Sequence, residues 1–242
     1  MAARVNCLVT DAMEKAVPVD KLLTADEQRT LLAQWTANLR DGIGESGNDR
    51  SYLRSFSALN LSIVAARDNA APFLSQAEYE AFLAAMIAYL KDERDTRGYD
   101  AGKGWVHTAA HTADVLKFLA RNTKLTPAGQ QQLLDAIAAK AASSGQVFQW
   151  AEDERLALVL VSLAARADFD KAGFDAWLAA IPPKRALVWA NAPAIDAGKF
   201  AELQNLTLVL RAAHAALSMP ATVPPMAAEA RTSMLATLRA MR

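Results

Sequence analysis

The sequence predicts an all-α protein of stacked antiparallel helical hairpins, a HEAT-like α-α superhelix of about four repeats with terminal caps. Three observations predict it. The first is a recurring segment. Leu23-Thr24-Ala25-Asp26-Glu27, followed by Leu31-Leu32 and Trp35, returns after 51 residues as Leu74-Ser75-Gln76-Ala77-Glu78 with Phe82-Leu83 and Met86. After another 51 it returns as Leu125-Thr126-Pro127-Ala128-Gly129 with Leu133-Leu134 and Ile137, and after 44 more as Phe169-Asp170-Lys171-Ala172-Gly173 with Trp177-Leu178 and Ile181. Spacing of this kind marks repeats that bury their apolar faces against one another. The second is composition: 52% hydrophobic against 21% charged residues indicates a folded chain, and abundant alanine favours helices. The third is that each recurring segment opens with a helix-start signal.

Those signals place the first helix of each hairpin. Thr24 with Glu27 and Ser75 with Glu78 are capping boxes, in which the hydroxyl accepts from the third amide and the Glu reaches back. Thr126 stands before a proline in the first turn, and Asp170 is an acceptable N-cap. The expected A helices are 25–40, 76–92, 127–142 and 171–181, and the B helices are 51–68, 105–121, 153–167 and 200–217. Three B helices are expected to end in arginine (Arg67, Arg121, Arg166), which suits the negative end of the helix dipole. One domain over 1–242 is expected, with repeats near 24–68, 75–121, 126–167 and 170–217. Caps are expected near 4–17 and 225–242, and Pro182, Pro183 and Pro193 interrupt the period over 182–197.

Charge and targeting signals bound the function. Lys+Arg and Asp+Glu are equal at 26 each, which gives no electrostatic case for nucleic acid. Cys7 alone can make neither an internal disulfide nor a cysteine metal cage and reads as an inert thiol. No stretch has the length of a membrane span, and the start lacks the apolar run of a secretory signal. A cytoplasmic protein is the default expectation. An exported one whose signal has been trimmed is the alternative.

The long A-to-B connections 41–50, 93–104 and 143–152 are expected on one rim, where function usually sits. The densest polar cluster runs from Glu93 to Asp114. His107 and His111 are four apart and Asp114 three further on, so on a helix they share a face and can hold a divalent metal. The glutamate that makes the zinc-protease pattern diagnostic is missing. The same residues have a structural reading, in which the histidines bond loop backbone and Asp114 holds a neighbour. Arg54, Arg97, Tyr99, Asp100, Lys103, Trp105, Trp150 and Glu154 are the candidate ligand-binding residues of a polar rim groove. An ion-pair network that fixes the loops is their structural counterpart. His214, in an apolar run, reads as a core or interface histidine. No G-x-S-x-G or phosphate-loop pattern occurs.

The strings Phe56-Ser57-Ala58-Leu59-Asn60-Leu61-Ser62, Glu93-Arg94-Asp95-Thr96-Arg97-Gly98-Tyr99-Asp100 and Lys103-Gly104-Trp105-Val106-His107-Thr108-Ala109-Ala110-His111-Thr112-Ala113-Asp114 resemble the bacterial family called domain of unknown function 2785. The likeness spans about residues 50 to 180, and its specific part is G-W-x-H-x-x-A-H-x-A-D. The resemblance implies an all-helical fold, points to the same loop, and implies no reaction.

Three functions compete at this stage. One is a binding module that grips a protein, a peptide or a small polar ligand with its rim loops. Another is a metal-dependent hydrolase, with His107, His111 and Asp114 on the metal and Glu93, Asp95 or Glu154 as general base. The third is a purely structural helical domain.

Overall fold

The computed structural model describes residues 23–241, so the cap expected near 4–17 and Cys7 lie outside the described residues. The helices are α1 (Ala25–Asn38), α2 (Arg50–Ala70), α3 (Gln76–Asp92), α4 (Thr108–Arg121), α5 (Pro127–Ser143), α6 (Glu152–Ala164), α7 (Lys171–Ala179), α8 (Lys184–Val188), α9 (Ala197–Ser218) and α10 (Pro225–Ala240). A two-stranded hairpin, β1 (Tyr99–Asp100) and β2 (Gly104–Trp105), interrupts them before α4. The fold class is all-α.

The expected starts hold at atomic detail. Both capping boxes form at Thr24 and Ser75, and Thr126 and Asp170 accept from the amides of Gly129 and Gly173. Each cap satisfies donors that would otherwise be orphaned at a helix start, worth about 1 kcal/mol apiece.

Packing follows the recurring positions. Phe82, Leu83 and Met86 of α3, Leu133, Leu134 and Ile137 of α5, and Trp177 and Leu178 of α7, with Ile181 just beyond it, are all buried. In the first segment Leu32 and Trp35 are only partly covered. Helices α2, α4, α6 and α9 pack in succession, each on the next. Leu61, Leu116, Leu160 and Leu206, one from each, have no exposed surface. A second succession runs α3, α5, α7, α10. Burying a leucine of this kind stabilises by about 1.5–3 kcal/mol.

Two sequence expectations are corrected. Residues 105–107 do not begin α4: Trp105 belongs to β2, and His107 precedes the helix at φ 50°. The cause is the pairing of Tyr99 with Trp105, reached through Gly104 at φ 94°, a left-handed geometry that suits glycine. Arg166 lies past the end of α6. It donates instead to the carbonyls of Ala120, Asn122 and Leu125 in the neighbouring connection. The irregular stretch 182–197 contains the short helix α8. His214 is half-buried on α9. No helix of the described residues is long and apolar enough to cross a membrane.

Candidate functional site

Residues of the three long connections meet. Gly47 N–H donates to Asp95, and Arg97 Nη2 donates to the Asn48 carbonyl at 2.8 Å. Trp150 packs closely against Gly98, where an added Cβ would stand 1.9 Å from the indole. Glycine is required there by close approach. His107 Nε2 donates to the Trp150 carbonyl at 2.6 Å.

Beneath these contacts is a closed polar lock. Arg54 on α2 has no exposed surface. Its Nε and Nη2 grip both oxygens of Glu93, at 2.6 and 3.0 Å, and its remaining donors reach the carbonyls of Asp41, Gly42 and Glu45. Asp95 accepts from Ser51 Oγ and from the backbone and side chain of Arg97, and burial is outweighed: its carboxyl is lowered to about 2. Lys140 Nζ donates to the Glu93 carbonyl, and burial lowers its ammonium to about 8. A buried charge persists only when paired in this way.

These contacts overturn two expectations. Glu93 and Asp95 are engaged on all sides and have no free oxygen for a general base. Arg54 is sealed away from any ligand. Arg97 is committed to Asp95 and Asn48, and Asp100 closes the hairpin turn by accepting from the amides of Gly102 and Lys103. Glu154 is exposed on the outer side of α6 and does not line the groove described below.

The expected metal set is also not formed. Asp114 is held by Lys117 at 3.0 Å and by Arg155 at 2.6 Å, so its carboxylate answers two cations. His107 and His111 lie edge to face with centroids 5.7 Å apart, since His107 stands before the helix rather than on it. Among the described residues no three His, Cys, Asp or Glu side chains are placed to hold a metal ion.

Above the lock opens a groove of about 950 Å³ between α1, α2, the hairpin and the start of α4, within the size range of small-molecule sites. Its apolar wall is Trp35, Leu53, Phe56 and Trp105. Tyr52, Asn60, His107 and His111 add polar atoms, and the pairs Lys103–Asp49 and Arg155–Asp114 stand at its edge. Of the residues nominated from sequence, Lys103, Trp105, His107 and His111 line it. Tyr99 packs its ring edge-on to Trp105, and Trp150 does the same from another side.

The imidazoles have fixed states. Trp150 O only accepts, so His107 carries its proton on Nε2. Ser55 gives its one hydroxyl proton to the Val106 carbonyl, so at 2.8 Å it must accept from His111 Nδ1. Burial lowers both imidazoles, that of His111 to about 4, so His111 is neutral at pH 7. The opposite nitrogen of each ring therefore holds a bare lone pair.

Sequence reasoning named Trp35 only as a repeat position, and Phe56 and Asn60 entered only through the resemblance, none of them as site residues. A signal was present. Tyr52, Leu53, Phe56, Ser57 and Asn60 recur at helical spacing on α2, as a second stripe beside the one that Ala58, Leu61 and Ala65 bury. A helix with an aromatic and polar stripe besides its core stripe has something to display.

The fold and groove define an all-helical protein with an aromatic, histidine-bearing cleft at the junction of its long loops. The chain belongs to the family described as Protein of unknown function (DUF2785), whose profile matches residues 39–214. Neither a curated protein nor a solved structure gives a significant match.

Proposed function

We propose that the protein is a binding module of stacked, HEAT-like helical hairpins, and that the groove above the polar lock captures a small ligand. One observation carries this reading. The groove walls keep hydrogen-bonding atoms that have no partner among the described residues and leave aromatic surface exposed, whereas the neighbouring carboxylates nominated for a hydrolase are consumed in structural contacts. Spare bonding capacity on a preformed surface is what recognition uses. The metal-dependent hydrolytic reading finds no three-ligand metal set among the described residues, and Glu93 and Asp95, nominated as its general base, are engaged in structural contacts.

The five tryptophans provide a test. Indole N–H resonances are followed by NMR while neutral sugars, polyamines, di- and tricarboxylates and tripeptides are added in turn. A groove ligand shifts Trp35 and Trp105 and leaves Trp177, buried in α7, in place. If no compound moves the first two apart from the third, the reading fails.

A further inference from the structure

The groove's unsatisfied atoms have a common character, and that character selects a ligand chemistry. This inference rests on the binding reading above. The charged side chains lining the groove already have partners: Lys103 Nζ sits 2.5 Å from Asp49, and Arg155 Nη1 sits 2.6 Å from Asp114. A charged ligand meets no unpaired opposite charge among the described residues of the lining, and what it could draw from these exposed pairs is small. The groove therefore favours a neutral occupant.

What remains open is mostly acceptors. The second nitrogen of each imidazole is bare, since the proton of His107 is committed to Trp150 O and that of His111 to Ser55. Asn60 bonds to no described residue on its α2 stripe, and Asn38 uses its amide group on Ser57, leaving its oxygen. Between these atoms stand aromatic surfaces. Trp105 is 46% exposed, its indole stacked on His107 at 4.3 Å and braced by Tyr99 and Trp150. Phe56 tilts against His111 at 5.5 Å. The rings are thus held in place before any ligand arrives.

A ligand that fits must supply several hydrogen-bond donors on its edge, an apolar face for the indole, and no net charge. Amines and guanidines supply donors but bring charge; carboxylates bring charge and acceptors. A pyranose ring has C–H faces and a rim of hydroxyls that both donate and accept. We propose that the groove binds a neutral saccharide, its ring face on Trp105 and its hydroxyls donating to His107, His111 and Asn60.

The experiment uses the full chain and named probes: cellotriose, maltotriose, xylotriose and N,N′,N″-triacetylchitotriose, beside spermidine, arginine amide and citrate. Binding is followed by the Trp35 and Trp105 indole signals and by ¹⁵N signals of the imidazoles. Free protein should show His107 protonated on Nε2 and His111 on Nδ1. At least one trisaccharide should shift the groove signals, and Asn60→Ala and Trp105→Ala should each weaken it by about tenfold or more, the loss of roughly one good hydrogen bond or stacking contact. A ligand-side variant removes any question of folding. Fluorodeoxy analogues of the bound sugar, which replace a hydroxyl donor by fluorine of similar size, should bind about tenfold more weakly at one or more positions. Analogues that all bind as well as the parent overturn the proposal. So does a groove that answers only to spermidine, arginine amide or citrate, an outcome that leaves the binding reading standing. Silence from every one of these probes overturns the saccharide proposal, and silence from tripeptides as well overturns the binding reading.

Discussion

Two clusters separated by about ten residues of sequence have opposite fates. Glu93, Asp95 and Arg97 join Arg54 in a lock where every charge and nearly every lone pair has a partner. Trp105, His107 and His111 line an open wall where half of each imidazole is unused. Both clusters are polar, both sit at the same loop junction, and both look like sites in the sequence. The difference is bonding capacity left over after folding. A fully satisfied network holds the chain. A half-satisfied one on a rigid support can take something up.

The comparison breaks most visibly at the lock. Arg54→Met leaves Glu93 buried without its cation, and urea unfolding should show a loss of about 3–5 kcal/mol. A loss below about 1 kcal/mol would mean that the lock is ornamental and that Arg54 belongs to the same class as an exposed pair.

His111 supplies the next largest effect. Its imidazole takes up a proton near pH 6.5 in the unfolded chain but only near 4 in the folded one. Between those values the unfolded chain binds the additional proton, so stability is full above pH 6.5 and falls as pH drops toward 4. By pH 5 the loss should reach up to about 2 kcal/mol. His111→Gln should flatten the profile between pH 7 and 5, measured as the urea midpoint. An unchanged slope would remove His111 as its source.

The smallest expected effect falls on the wall. Trp105 is half exposed and rests on other rings rather than in the core. Trp105→Ala should cost less than about 1 kcal/mol of stability, well below the 3–5 expected for a tryptophan in a packed interior. A loss of the larger size would move Trp105 into the lock's category and close the distinction between the two clusters.

The helices were legible in the sequence because their determinants are local. Thr24, Ser75, Thr126 and Asp170 cap as expected, and the apolar triads beside them bury. The hairpin was not legible, because Tyr99 and Trp105 carry no period long enough to read and Gly104 announces a turn only once its φ is known. That displacement of three residues took His107 off the helix and with it the metal geometry. The groove itself was half legible. Lys103, Trp105, His107 and His111 stood out by type. Trp35 and Asn60 did not, because they act through their position on helices whose core stripes draw attention first. Which carboxylates were spent on structure was invisible, since Glu93 and Asp95 meet Arg54 and Ser51 across 39 and 44 residues of chain.

The connection between α1 and α2 carries three glycines and no regular secondary structure, and by composition it is the kind of strand a protease severs. Yet one guanidinium clasps three of its peptide oxygens from below. To enter an enzyme's cleft, that stretch would first have to let go of Arg54. The segment from Trp189 to Phe200, exposed at every residue, has no such tether. Among the described residues, the first cut of the native protein is therefore expected within 189–200, far from the glycines, and it should leave the cleft and its floor on one fragment.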